Sequence, residues 1–142
     1  MSWLTLSKKL AFITGGGSGI GAAVAKGCAR AGANVAVVDR NFEAAKETSI
    51  FINTHLNAAG LGGRAIPLQV DVTSLAEIEA GVAEATKRFP ETPLSISVNC
   101  AGITVDKFMH KMTEQDWDRV LNVNLKGTFL VTQVTSKVMW VS

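Results

Sequence analysis

The sequence predicts an α/β fold: a doubly wound parallel sheet of strand order 3-2-1-4, cut after its fourth strand and the long helix that follows, in one domain spanning residues 1–142. Three observations carry this. Short apolar runs alternate with longer stretches in which apolar residues recur every three or four positions. Each change of period is marked by Gly, Pro, Asn, Asp or Thr. The first change is TGGGSGIG (14–21), a glycine turn between an apolar run and a small-residue stretch. Strand alternating with helix gives right-handed crossovers, and such a turn puts a ligand at the carboxyl edge of the sheet.

KLAFIT (9–14) is the first strand. The helix after the turn runs from about Ile20 to Ala31, with Ile20, Val24, Gly27 and Ala31 on its inner face, and Gly32 ends it. NVAVVD (34–39) is the second strand, continuously apolar as strands covered on both faces are. The second helix carries Phe42, Ala45, Ser49, Ile52, Leu56 and Ala59 at helical spacing and closes at Gly60. AIPLQVD (65–71) is the third strand. Ser74 with Glu77 makes a capping box for a third helix, whose stripe is Leu75, Ile78, Val82, Ala85 and Phe89. LSISVN (94–99) is the fourth strand. Thr113 then opens a long last helix with Trp117, Val120, Leu121, Asn124, Val131 and Val138 on its buried stripe.

Composition narrows the function. A chain 47% hydrophobic and 18% charged fits one globular domain, and a net charge of +2 with scattered basic residues argues against nucleic acid. Cys28 and Cys100 lie far apart in apolar surroundings, which reads as buried reduced thiols, and neither they nor His55 and His110 have metal-ligand spacing. MSWLTLSKKL lacks the order of a secretory signal and no run of eighteen apolar residues exists, so a soluble intracellular protein is expected. The chain contains no tyrosine.

At the glycine turn the backbone bends sharply and a ligand must come close, so Gly15, Gly17, Gly19 and Gly21 remove Cβ atoms, with Ser18 and Ile20 between them. The helix behind points free N–H groups and its positive dipole end at that space, which suits a pyrophosphate. Asp39, eighteen residues after Gly21, stands where a carboxylate accepts the ribose hydroxyls of an adenosine; it would repel a 2'-phosphate, which favours NAD over NADP. Arg40 beside it is the counter-signal. A plain helix cap is the other reading of Asp39. Asp71 in DVT could take the adenine amino group while Val72 covers the ring, or serve as a cap or turn residue. The small residues of VNCAG (98–102) would lie by a nicotinamide ribose, though a plain strand-to-loop exit has the same form. Asn124, polar on an apolar stripe, is either a structural bridge or part of a site.

TGGGSGIG with Asp39, DVT, VNCAG and VNLKG (123–127) resembles, in order and spacing, the short-chain dehydrogenase/reductase family, whose fold is Rossmann-like. Residues 101–133 are similar to the branch that holds the β-ketoacyl-acyl-carrier-protein reductases and the mitochondrial 17β-hydroxysteroid dehydrogenases. The resemblance implies that Gly15, Gly19 and Gly21 form the turn for NAD, Asp39 and Asp71 bind its adenosine half, and Asn99, Ala101 and Gly102 line the nicotinamide side. It makes Asn124 the family's active-site Asn, with Cys100 where a second Asn is usual.

It further implies a hydroxysteroid (estradiol) or a 3-hydroxyacyl or 3-ketoacyl thioester as substrate. The assembly implied is a tetramer, by resemblance a heterotetramer with carbonyl reductase type 4, in the mitochondrial matrix or alternatively the cytoplasm. The family's reaction uses a Ser on the fifth strand and a Tyr-x-x-x-Lys on the next helix; these 142 residues stop before the expected Ser strand and contain no tyrosine. Two readings follow: an NAD-dependent oxidoreductase in its intact form, or a truncated chain that at most binds the dinucleotide and catalyses nothing. A sensor of NAD acting through a partner is a third.

Overall fold

In the computed structural model the described residues are 5–57, 60 and 62–141; Ala59 of the expected second helix lies outside them. The apolar runs form four parallel strands, β1 (Leu10–Thr14), β2 (Asn34–Asp39), β3 (Ala65–Gln69) and β4 (Leu94–Asn99), in the order β3-β2-β1-β4. β1 begins one residue later than expected and β3 stops at Gln69, so Asp71 stands on the loop beyond the strand. Thr14 pairs with Val38 on one side and Asn99 on the other, which brings the carboxyl ends of three strands level.

Because successive strand side chains point to opposite faces, β1 feeds two cores. Ala11 and Ile13 pack with Ala25, Ala29, Val37 and Ile52 under α1 (Gly19–Arg30) and α2 (Phe42–Phe51). Leu10 and Phe12 pack on the other face under α3 (Leu75–Arg88) and the last helix, among Ile78, Val82, Val131 and Val134. That last helix is α4 (Glu114–Leu121) and α5 (Thr128–Trp140) joined through a π-helical segment, Asn122–Gly127. A second π turn, Ile52–Leu56, prolongs α2. None of the helices is long and apolar enough to cross a membrane, among the described residues.

Four expectations are corrected. The inner face of α1 is Gly21, Ala22, Ala25 and Ala29, while Ile20 is 78% exposed. The cause is local: a Cβ on Gly21 would stand 2.0 Å from the Gly15 carbonyl oxygen, so Gly21 faces the turn, and its neighbour, about 100° round the helix, faces out. The Ser74 capping box is half formed. Ser74 Oγ accepts the Glu77 N–H, but the Glu77 carboxylate accepts the N–H of Asp71 instead of that of Ser74.

The buried stripe on the last helix fails at its start. Trp117 is 59% exposed and Asn124 is exposed, because α4 reaches past the sheet and only α5 packs on β4. Cys28 and Cys100 are free thiols but half-buried rather than buried.

Candidate functional site

A cleft of about 400 Å³ opens at the carboxyl end of the sheet. Its walls include Gly15, Ser18, Gly19, Ile20 and Gly21 from the turn, Asp39 and Arg40 after β2, Asp71 and Val72 after β3, and Ala101 and Gly102 after β4. Of the sequence-selected residues, Gly17, Asn99 and Asn124 do not line it.

The turn is built by close approach. Gly15 (φ 64°) lies so near the exit of β4 that a Cβ would come within 2.7 Å of the Cys100 carbonyl and the Ala101 nitrogen. Gly19 (φ 50°) faces open space, with nothing within 4 Å of where its Cβ would stand. Ser18 caps α1 by its extended backbone alone, without a side-chain cap bond, and no acidic residue occupies the first turn. The N-terminus of α1 thus meets the cleft with its positive end uncompensated, which suits an anion. These features fit a dinucleotide's pyrophosphate.

Asp39 is oriented from two sides. Gly17 donates its N–H to Oδ2 at 3.0 Å and Asn41 donates its N–H to Oδ1 at 2.9 Å. Each oxygen keeps lone-pair capacity for a further donor. Gly17 is therefore a support for Asp39, and a Cβ there would meet Asp39 Oδ2 at 2.9 Å and the Ala44 side chain at 2.7 Å. The cap of α2 is Asn41, whose Oδ1 accepts the Ala44 N–H at 3.2 Å, so capping does not account for Asp39. Sequence reasoning missed Asn41; two cap-forming residue types two positions apart, Asp39 and Asn41, left the choice open.

Asp71 folds its loop. Oδ1 accepts the Thr73 N–H at 2.9 Å and the Thr73 hydroxyl at 2.7 Å. Those bonds, with the nearby Arg40 charge, hold its carboxyl below the usual carboxylate range. The turn-residue reading of Asp71 is thus realised geometrically, while the side chain still lines the cleft.

The β4 side is tied to the turn by Thr14, which sequence reasoning also passed over as the end of a strand. Its carbonyl accepts the Cys100 N–H at 3.2 Å and its hydroxyl accepts the Ala101 N–H at 3.4 Å. Asn99 donates Nδ2 to the Thr132 hydroxyl at 3.1 Å; its Oδ1 is buried without a partner among the described residues.

Asn124 sits in the π segment and pairs its side-chain amide with both backbone polar groups of one residue. Oδ1 accepts the Ile103 N–H at 2.9 Å and Nδ2 donates to the Ile103 carbonyl at 3.0 Å. Its own carbonyl accepts the Thr128 hydroxyl at 3.0 Å. The bridge holds the segment after β4 against the cleft that Ile103 and Val123 line. Gly127 lets the π segment reach this place, since a Cβ would lie 2.8 Å from Val72 Cγ2. A larger, more open hollow of about 760 Å³ lies over Leu121, Leu125 and Phe129 and shares no residue with the cleft.

Comparison with known proteins agrees with this geometry. A family model described as short chain dehydrogenase matches residues 9–141. The chain is 41% identical over 139 residues to a mouse (3R)-3-hydroxyacyl-CoA dehydrogenase, covering 97% of this chain and 53% of that protein. It is 38% identical over 121 residues to a 3-oxoacyl-[acyl-carrier-protein] reductase FabG of Staphylococcus aureus, covering 85% and 46%.

Among solved structures, a dehydrogenase/reductase from Sinorhizobium meliloti superposes with a TM-score of 0.85 at 34% identity, over 95% of this chain and 51% of that one. A hydroxysteroid dehydrogenase from Escherichia coli gives 0.83 at 34%, over 96% and 54%. The chain spans about half the length of the curated relatives it matches. With the family model covering nearly all of its length and the sheet order, glycine turn and cleft in place, the chain belongs to the short chain dehydrogenase family.

Proposed function

We propose that the chain is the dinucleotide-binding half of an NAD-dependent oxidoreductase that interconverts a hydroxyl and a carbonyl on a 3-hydroxyacyl or 3-ketoacyl thioester. The observation that carries the cofactor assignment is Asp39, held by two backbone N–H groups at the rim of the cleft with acceptor capacity to spare. An ionised carboxylate there accepts ribose hydroxyls, and hydrogen bonds to charged groups contribute about 1.5–3 kcal/mol each. A 2'-phosphate at the same place meets like charge. The thioester class rests on relatives named for hydroxyacyl-CoA and oxoacyl-carrier substrates. A hydroxysteroid is the alternative substrate, supported by the similar Escherichia coli structure.

In this reading Gly15, Ser18, Gly19, Ile20 and Gly21 receive the pyrophosphate while Gly17 holds Asp39; Asp39, Arg40, Asp71 and Val72 take the adenosine half, and Asn99, Ala101 and Gly102 the nicotinamide side. Bound NAD would supply hydride transfer. Asn124 acts through Ile103, keeping the wall of the nicotinamide side in place. The 142 residues contain no tyrosine to serve as proton donor, so on their own they bind and do not turn over.

The test is a purified 142-residue chain given NAD with a (3R)-3-hydroxyacyl-CoA or with estradiol. Saturable NAD binding in equilibrium dialysis without NADH formation is expected. Sustained NADH formation contradicts the reading of this chain as a binding half, and absence of binding contradicts the assignment of the cleft.

A further inference from the structure

The sheet ends on β3 at one side and on β4 at the other. An edge strand offers unpaired N–H and C=O groups to any other chain, and proteins differ in how they block it. In β3 the peptide groups alternate. Val70, just past the strand, donates its N–H to the Asp39 carbonyl at 3.2 Å, so Ile66, Leu68 and Val70 face β2, and Ala65, Pro67 and Gln69 face outward.

Asn53, in the π turn after α2, lays its side-chain amide against both backbone polar groups of Ala65, the first outward residue. Oδ1 accepts the Ala65 N–H at 2.9 Å, and Nδ2 donates to the Ala65 carbonyl at 2.9 Å. A carboxamide has the donor and acceptor of a backbone peptide, so Asn53 fills the place a neighbouring strand would take. At the next outward position Pro67 has no N–H to offer. The other edge lacks both devices: LSISVN contains no Pro and no charge, and no side chain bonds its backbone among the described residues.

We infer that Asn53 and Pro67 together close the outer edge of β3 against strands from other polypeptides. Asn53 is thus the counterpart, at the far edge of the sheet, of Asn124 at the cleft. Each sits in a π segment and each matches both polar groups of one residue's backbone. The inference rests on the fold and is independent of which cofactor the cleft takes.

Amide hydrogen exchange on the 142-residue chain reads the clamp directly. The Ala65 N–H is expected to exchange at least tenfold more slowly than that of Gln69, which faces the same way without a clamp. Asn53→Ala should speed Ala65 exchange at least several-fold while Ala65 stays buried, which separates the clamp from burial. Asn53→Ala combined with Pro67→Val opens two outward positions and should form thioflavin-positive aggregate several-fold faster than the parent at equal concentration. A folded double variant that associates no faster than the parent, or Ala65 exchange unchanged in Asn53→Ala, overturns the inference. Should the double variant fail to fold, Asn53→Leu, of similar size with neither donor nor acceptor, decides by Ala65 exchange: acceleration supports the clamp, and the parental rate contradicts it.

Discussion

Gly21 and Asp39 set the geometry of the cleft residue by residue. A Cβ on Gly21 would enter the Gly15 carbonyl at 2.0 Å, a clash with backbone that no rotamer relieves. Gly21→Ala should destabilise the fold by about 1–3 kcal/mol, as overpacking does. It should also abolish NADH binding, measured by urea titration and by nicotinamide fluorescence. Asn124→Ala removes two bonds to Ile103, each contributing about 0.5–1.5 kcal/mol, and less where exposed. A loss of about 1 kcal/mol in urea is expected, with faster exchange at the Ile103 N–H; an unchanged exchange rate there would remove Asn124 from its bridging role. At this scale the sequence was most legible where chemistry leaves one residue type. The glycines at close approaches could be found from spacing, whereas Thr14 and Asn41 could not, since a threonine ending a strand or an asparagine before a helix has many uses.

Among the elements, α4 is fixed at its start by charge. Asp116 Oδ2 accepts the Lys107 ammonium at 2.7 Å and the Thr113 N–H at 2.9 Å, and its N–H in turn bonds the Thr113 hydroxyl. Lys107 first, and the Thr113 N–H and hydroxyl after it, hold the Asp116 carboxyl at about 2. A carboxyl whose pKa is lowered by folding binds fewer protons folded than unfolded. Its stabilisation is therefore full above the ordinary carboxylate range and lost as pH falls toward about 2. The urea midpoint of the parent should drop over that window more steeply than that of Asp116→Asn; parallel profiles would show that the contact does not contribute.

Thr113→Ala should cost about 1 kcal/mol through the lost cap. The cap was visible in the sequence as a helix start, but the π segments were not. Bonds of i→i+5 in place of i→i+4 shift the periodicity after the segment, and a single apolar stripe drawn from Trp117 to Val138 cannot show the shift. The face of α1 was misread for a similar reason, since the clash that turns Gly21 inward is with the loop rather than with the core.

For the whole molecule, strand order was the most legible feature. Right-handed crossovers between parallel strands admit few arrangements, and the glycine turn after β1 selects the one in which β1 lies between β2 and β4. The polar atoms at the β4 edge were less so: the buried Asn99 Oδ1 has no partner among the described residues, and composition carries no trace of that. On the proposed function, this architecture presents Asp39, held by the Gly17 and Asn41 N–H groups, to an adenosine ribose.

Titrating the chain with NADH and with NADPH, read by nicotinamide fluorescence, tests it most directly, with Asp39→Asn run in parallel. Binding at least tenfold tighter for NADH, a difference of about 1.4 kcal/mol, with the gap closing in Asp39→Asn, is the result predicted. Tighter binding of NADPH by the parent, or a preference that Asp39→Asn leaves untouched, would contradict it.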